Sequence, residues 1–560
     1  NENKKTMKRK MKTNILPLFA LTSLLFAACA TDNIESGKQK QGQEIDTTKI
    51  TAFSVNNEAP PIDPTNPATR TAGEYTGTGV RFYWTLGDVL YVHNTIDKPT
   101  GVRSSYRSDI DDQLRASGKD RTPRATFWFY GDFTAPQYTV RYTGPGTYGF
   151  NERSVNIQNA QEQTKPNDAA KLGEYGDCGT GIAHRQDDGH YTFMIDHKAS
   201  YITFLPYTTQ GIISKAKIEK IRVLCPDQAV CGVFKFDDNG IDLSSRPSAD
   251  NNFIDLTLNN FPIPPVASPD SNAAIMVIAP GTYSKFYVEY TLYDPKTNVR
   301  GTITKEYSNV TFTAGKNKQI SSNLQVPDYP GNEYYMWDAA VGQHYWKGYE
   351  WDGPNPQQPT VNVTDNDNYP KNNTDPRWYN EVPKAYSDPT KTAPFDVATR
   401  SCINAPNVNE AAWYVHAGDP HWDENRLWAT MGHLYAGGVW FKKQRVIAAE
   451  LGKSISDLKK CPDSGYDGRT MTIPYYWGGT PSKDKLWNTD NYFFLAVRGD
   501  YSAGQFNGGG TVGCYWLSTP APSSFQPGAT TLAYYLQISS AEAAVYSAGR
   551  NCGYIRWTAQ

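Results

Sequence analysis

The sequence predicts a mainly β protein: two antiparallel β-sandwiches followed by an α+β module. Three observations carry that expectation. Short runs of alternating apolar and polar residues recur between residues 50 and 326 with Gly and Pro between them, which is the spacing of sandwich strands. Aromatic residues are heavily used, with 37 Tyr and 14 Trp against 7 Met, and large rings with a polar tip suit pleated, half-wet surfaces. After Pro327-Asp-Tyr-Pro-Gly331, a turn-rich boundary, the pattern changes and helical spacing appears. A chain of 560 residues also exceeds what one core supports.

The elements follow in order. Lys8, Arg9, Lys10 and Lys12 precede an apolar run from Ile15 to Phe26, which ends in Phe26-Ala27-Ala28-Cys29. The run is shorter than the about 20 residues that cross a bilayer, so 1–28 reads as a secretory signal peptide. The site resembles a bacterial lipobox, which implies a lipid on Cys29 and a tether over 29–46; Phe26 stands where that motif usually has Leu, Val or Ile. A first sandwich is expected over 47–190. Its strands are Ile50–Val55, Val80–Trp84, Val89–Val92, Thr126–Tyr130 and Tyr138–Tyr142, with a Pro- and Asn-rich loop at 56–68. A second is expected over 191–327. Its strands are Thr192–Ile195, Tyr201–Leu205, Ile218–Leu224, Ala274–Ile278, Phe286–Leu292, Val310–Phe312 and Ile320–Val326. In the third domain, 332–560, helices are expected at Val408–Val415 and at Trp440–Leu451 with Gly452 as the stop. Strands close the chain at Tyr492–Val497, Cys514–Ser518, Ala533–Ser539, Ala544–Ser547 and Gly553–Trp557.

Composition excludes several classes. With 55 basic and 57 acidic residues, the chain lacks the positive footprint of a nucleic-acid binder. Beyond Cys29 there are seven cysteines, an odd number, and none is in C-x-x-C spacing. Cys225 with Cys231, and Cys514 with Cys552, are candidate disulfides in an exported chain, although connectivity is not readable from sequence.

Catalytic constellations are missing. The sequence has no H-E-x-x-H, G-x-S-x-G or Walker A motif, and Gly508-Gly-Gly510 lacks the Lys and helix of a phosphate cradle. His416, His421 and His433, beside Asp419, Asp423 and Glu424, read as a polar helix-to-loop surface before they read as a metal site. Asp365 and Asp367 lack the Gly and Glu of a calcium loop. Arg498-Gly499-Asp500 falls where a strand ends and reads as chance. No enzyme, cofactor or metal is expected.

Two resemblances add to this reading. Phe82-Tyr-Trp-Thr-Leu-Gly-Asp-Val-Leu-Tyr-Val92, Gly173-Glu-Tyr-Gly-Asp-Cys-Gly-Thr180 and His197-Lys-Ala-Ser-Tyr-Ile-Thr-Phe-Leu-Pro206 resemble the fimbrillins, surface pilins of Bacteroidetes, over about residues 45–327. The resemblance implies two transthyretin-like sandwiches. It also implies an Arg-specific cut that frees the first strand, so that a strand of a neighbouring subunit fills its groove by β-augmentation. Arg70-Thr71 sits in the matching loop. Asn407-Val-Asn-Glu410, Gly438-Val-Trp-Phe-Lys-Lys443, Gly513-Cys-Tyr-Trp-Leu-Ser-Thr519 and Arg550-Asn-Cys-Gly-Tyr-Ile-Arg556 resemble the FISUMP group, which implies a lectin-like surface domain over about 400–560. Trp487-Asn488-Thr489-Asp490 is similar to the calcium triplet of C-type lectins with one residue inserted. Trp487, Asn488, Asp490, Tyr501, Gln505 and Asn507 are the candidate ligand-binding residues.

The expectation is therefore a lipid-anchored or fimbrial cell-surface adhesin, a tip or accessory pilus subunit. Its partners would be other pilin subunits, a host or bacterial surface glycan or protein, and the outer membrane through the lipid. The alternatives are a pilus anchor, a stand-alone glycan-binding lipoprotein, or a carbohydrate-active enzyme hidden in the third domain.

Overall fold

The computed structural model describes residues 47–55, 72–94, 102–145, 151–386, 394–462, 467–470, 477–522 and 530–560. The chain is mainly β, and most strand pairs are antiparallel. Parallel pairs interrupt that pattern, at Phe53–Val55 with Tyr191–Phe193, Ala160–Gln163 with Ala160's partner Asp255 through Leu258, and Tyr201–Tyr207 with Asn317–Asn323.

The first sheet places its strands in the order Val102–Ser104, Tyr91–His93, Gln137–Tyr142, Gly179–Arg185, Tyr191–Phe193, Ile50–Val55, Thr126–Tyr130 and Arg107–Ser108. It closes over a core that contains Phe53, Trp84, Phe127, Phe129, Val140 and Tyr191. The second core is built around Lys217–Leu224, Phe253–Pro262, Gly281–Asp294 and Ser200–Tyr207. Two short strands from before residue 190 belong to its sheets: Ser154–Ile157 pairs with Gly232–Asp237, and Ala160–Gln163 with Phe253–Pro262. Tyr75, Val80 and Phe82 also pack into this core. The two sandwiches therefore exchange segments rather than follow one another.

The motifs behind the fimbrillin resemblance meet at that exchange. His197 Nδ1 lies 2.7 Å from Asp177 Oδ1, Tyr201 donates its hydroxyl to the same oxygen, and Phe82 stacks on the His197 ring at 3.9 Å. All are buried. Gly179 of the same motif and Gly181 just after it permit close approach. A Cβ on Gly181 would stand 1.9 Å from Met194 O, and one on Gly179 would stand 2.8 Å from Asp196 O, so neither position has room for a side chain.

In the third domain Asn407 caps the helix Val408–Ala417: its side chain accepts from Asn409 N and Glu410 N, and Asn407 N donates back to the Glu410 carboxylate at 2.7 Å. The second helix is shorter than its sequence suggests. Gly438–Lys442 is a strand paired with Tyr492–Ala496, and the helix covers only Gln444–Glu450. Val439 and Trp440 have strand partners on both edges and Phe441 on one, and that pairing outweighs their helical spacing. Most of the described part of 332–400 consists of turns and short bridges around Trp337, Tyr345 and Trp346, which are fully buried.

Candidate functional site: the first strand and its slot

Ile50–Val55 alternates, and its two sides see different surroundings: Phe53 and Val55 are buried while Ile50 is 53% exposed. The strand is not at an edge. Residues 50–54 run antiparallel to 126–130, pairing Phe53 with Phe127, and residues 53–55 run parallel to 191–193, pairing Phe53 with Tyr191. Both of its backbone edges are therefore engaged. The ends are tied as well: Val55 N donates to Ala125 O at 3.0 Å, Gly131 N to Lys49 O at 2.8 Å, and Lys49 Nζ lies 2.9 Å from Asp132.

Phe53 is the plug. It stacks on Tyr191 with centroids 4.6 Å apart and meets Phe129 and Phe133 edge-on at 5.0 and 5.3 Å. Tyr191 donates its hydroxyl to Ala135 O at 2.6 Å, and burial pushes that phenol up to about 12. Complete burial of a Phe side chain contributes about 1.5–3 kcal/mol. If the strand left, a central slot would open between two rows of unpaired backbone groups, with an aromatic socket in its floor. Arg70 and Thr71, the cleavage position expected from the sequence, and Cys29, the expected lipid position, lie outside the described residues.

The candidate ligand-binding residues of the third domain are not gathered into one site. Tyr501 is fully buried: its ring stacks on Tyr345 at 5.6 Å, and its hydroxyl takes a hydrogen bond from Gln358 Nε2 at 3.2 Å. It is a core residue, not a sugar platform, because the segments 334–346 and 358–359 close over it. Gln505 and Asn507 stand on Gln505–Gly509, between Arg498–Ser502 and Thr364–Asp365. Trp487 lies elsewhere, against Tyr287 of the second sandwich at 5.4 Å, with Lys485 Nζ 4.3 Å from its ring and Lys485 also paired to Glu289. Asn488 accepts from Asp490 N at 3.0 Å, and Asp490 O accepts from Lys443 Nζ at 2.9 Å. This loop braces two domains.

Arg498 is buried against Tyr329 at 4.5 Å and pairs with Glu333, so the Arg-Gly-Asp triplet is not displayed. Cys225, Cys231, Cys514 and Cys552 are free thiols, which corrects both disulfide pairings. Cys231 instead donates to Asn251 O and Phe253 O at 3.3 and 3.2 Å, and burial pushes it up to about 12. Among the described residues no group of three or more His, Cys, Asp or Glu is placed to hold a metal. His421 bonds to Asp484 O at 2.9 Å and His433 to Thr360 at 3.0 Å, each in its own surroundings.

No family model matches the chain, and no curated protein is similar to it. Among solved structures it is similar to a candidate cell adhesion protein from Bacteroides ovatus, at 14% identity over 49% of this chain and 92% of the other, with a TM-score of 0.30. A second such protein, from Bacteroides fragilis, is 14% identical over 50% and 94%, with a TM-score of 0.24. A fimbrial protein from Bacteroides vulgatus is 13% identical over 35% and 78%, with a TM-score of 0.19. Superpositions this loose carry no argument about function.

Proposed function

We propose that the protein is a cell-surface adhesin of the fimbrial type, lipid-bound at Cys29 before maturation and assembled by replacement of its first strand. The observation that carries the reading is the central, two-sided seat of Ile50–Val55, with Phe53 in an aromatic socket. A strand in that seat cannot be lost without replacement, because its removal strands backbone groups on both sides. A cut after Arg70 would sever it from the sandwich it completes, and a strand from another subunit with a large apolar residue opposite Phe127 and Tyr191 would restore the sheet. The resemblance of 82–92, 173–180 and 197–206 to fimbrillins supports the same reading.

The tip or accessory position rests on the other end of the described chain. Tyr554–Ile555 is held between Tyr334–Tyr335 and Val512–Ala521, and Gln444 N donates to Gln560 O at 2.7 Å. The integration of Tyr554–Ile555 in the third domain supports the reading that this strand is not the one donated to a neighbour. The test is Arg70→Ala, which is expected to leave an uncleaved monomer that joins no fibre. Normal incorporation of the variant would refute the mechanism.

A further inference from the structure

A cleft of about 520 Å³ lies where the hairpin of the second sandwich, Gly281–Asp294 and Val299–Phe312, meets the third domain. Its lining includes Lys296, Arg300, Val361, Asn362, His433 and Tyr435. Its size is that of small-ligand sites, and four features give it a character. First, its lining carries two cations, Lys296 and Arg300, and no acidic side chain. Lys296 is exposed on the hairpin turn; Arg300 commits Nε and one terminal nitrogen to Glu219 at 3.0 and 3.1 Å and is held flat over Tyr293 at 4.0 Å. Second, Asp294, the carboxylate at this turn, is already occupied: one oxygen accepts from Lys296 N at 2.9 Å and the other from Thr297 Oγ1 at 3.0 Å. The field is felt at His433, whose imidazole is held below its ordinary range by burial and by Lys296 and Lys215, with Asp294 opposing them.

Third, the opposite wall is fixed before any ligand arrives. Asn362 clamps Gly509 by two hydrogen bonds of 2.8 Å, from its amide to Gly509 O and from Gly509 N to its carbonyl. Val363, beside this wall, is a β-branched residue at φ 64°, held by a bond from its N to Phe506 O at 2.8 Å. A conformation of that kind costs about 1–3 kcal/mol and concentrates at functional sites. Fourth, the lining is partly apolar: Val361 is 48% exposed, and Val299 belongs to the same lining.

We propose that this cleft binds an acidic glycan, with the anionic group on Lys296, Arg300 and His433 and the sugar body against Val361 and Val299. The proposal rests on the adhesin reading and assigns its ligand class. Isolated cations on a rim would take any small anion. A fixed wall that pairs apolar side chains with the cations asks for a bulky ligand charged at one end.

The test is calorimetric titration of the full mature chain with sialyllactose, a sulfated galactoside, neutral lactose and inorganic sulfate, near 50 and 300 mM salt. The acidic sugars are expected to bind at least ten-fold more tightly than lactose and sulfate and to weaken with salt. Lys296→Glu should remove at least ten-fold, and Val361→Asp should do the same while the fold, read by circular dichroism, is unchanged. In the bound state the His433 ring proton should report a raised imidazole pKa, because an anion offsets the neighbouring lysines. Equal binding of lactose, or sulfate binding as tight as the sulfated sugar, overturns the glycan assignment; so does an unaffected Lys296→Glu, or no binding at all. Fibre incorporation is scored on the same variants. In these variants, loss of sugar binding with normal incorporation is the expected result; an unsubstituted chain that incorporates normally but binds no acidic sugar defeats only the cleft as ligand site, whereas sugar binding without strand exchange defeats the assembly reading.

Discussion

At the residue scale, the fimbrillin-like motifs act through buried polar contacts. Asp177 receives both His197 and Tyr201 on one oxygen, and its other oxygen is buried without a hydrogen-bond partner. A carboxylate so placed depends on the contacts it has. Asp177→Ala is expected to cost about 3–5 kcal/mol and Tyr201→Phe about 1.5–3 kcal/mol, measured by urea unfolding. Equal, near-zero effects would mean the network holds nothing together. Asp500 gives a pH effect. Burial pushes its carboxyl up to about 6, against an ordinary value of about 3.9. Between those values the folded chain keeps a proton that the unfolded chain has released, so stability falls as pH rises from about 4 to about 6 and is level above. Asp500→Asn is expected to flatten that slope; an unchanged profile would place the titration elsewhere. Neither site was legible in sequence as a site. Asp177, His197 and Tyr201 fall in conspicuous motifs, but their meeting is a tertiary fact. Tyr501 looked like a binding aromatic because nothing local signals that 334–346 and 358–359 fold over it.

At the element scale, alternation placed most strands well. Ile50–Val55, Thr126–Tyr130 and Ala274–Ile278 have the bounds the sequence suggests. Phe286, Val288, Tyr290 and Leu292 are all fully buried on one face. What alternation lacks is neighbourhood. It does not say that Ile50–Val55 sits inside its sheet, or that Ala160–Gln163 leaves the first sandwich for the second. It also read Trp440–Lys442 as helix because aromatic spacing there fits both periods. The central seat of the first strand makes a sharp prediction for Phe53→Ala. The substitution empties the socket between Tyr191, Phe129 and Phe133, at about 3–5 kcal/mol. Hydrogen exchange is expected to accelerate in 126–130 and 191–193, with 200–207 unchanged. Unaltered protection beside the strand would mean it is dispensable to the sheet.

At the scale of the whole molecule, the boundary at 327–331 is less open than its prolines suggest. Asp328–Tyr329 pairs in parallel with Ala429–Thr430, and Thr302 N donates to Asn425 O at 2.6 Å. Leu427, Ala429 and Leu434 of the third domain pack into the core of the second sandwich. Lys485 and Trp487 cover Glu289 and Tyr287, on the face of that strand turned away from the core. The C-terminal half is thus braced on the second sandwich, and under the proposed assembly mechanism the part of the molecule to be replaced is the first strand. Peptide mapping of assembled fibres by mass spectrometry tests this most directly. The account requires subunits that begin at Thr71, with 126–130 and 191–193 still protected from exchange by a strand from another chain. Fibres whose subunits retain Ile50–Val55 covalently joined through Arg70 would contradict it.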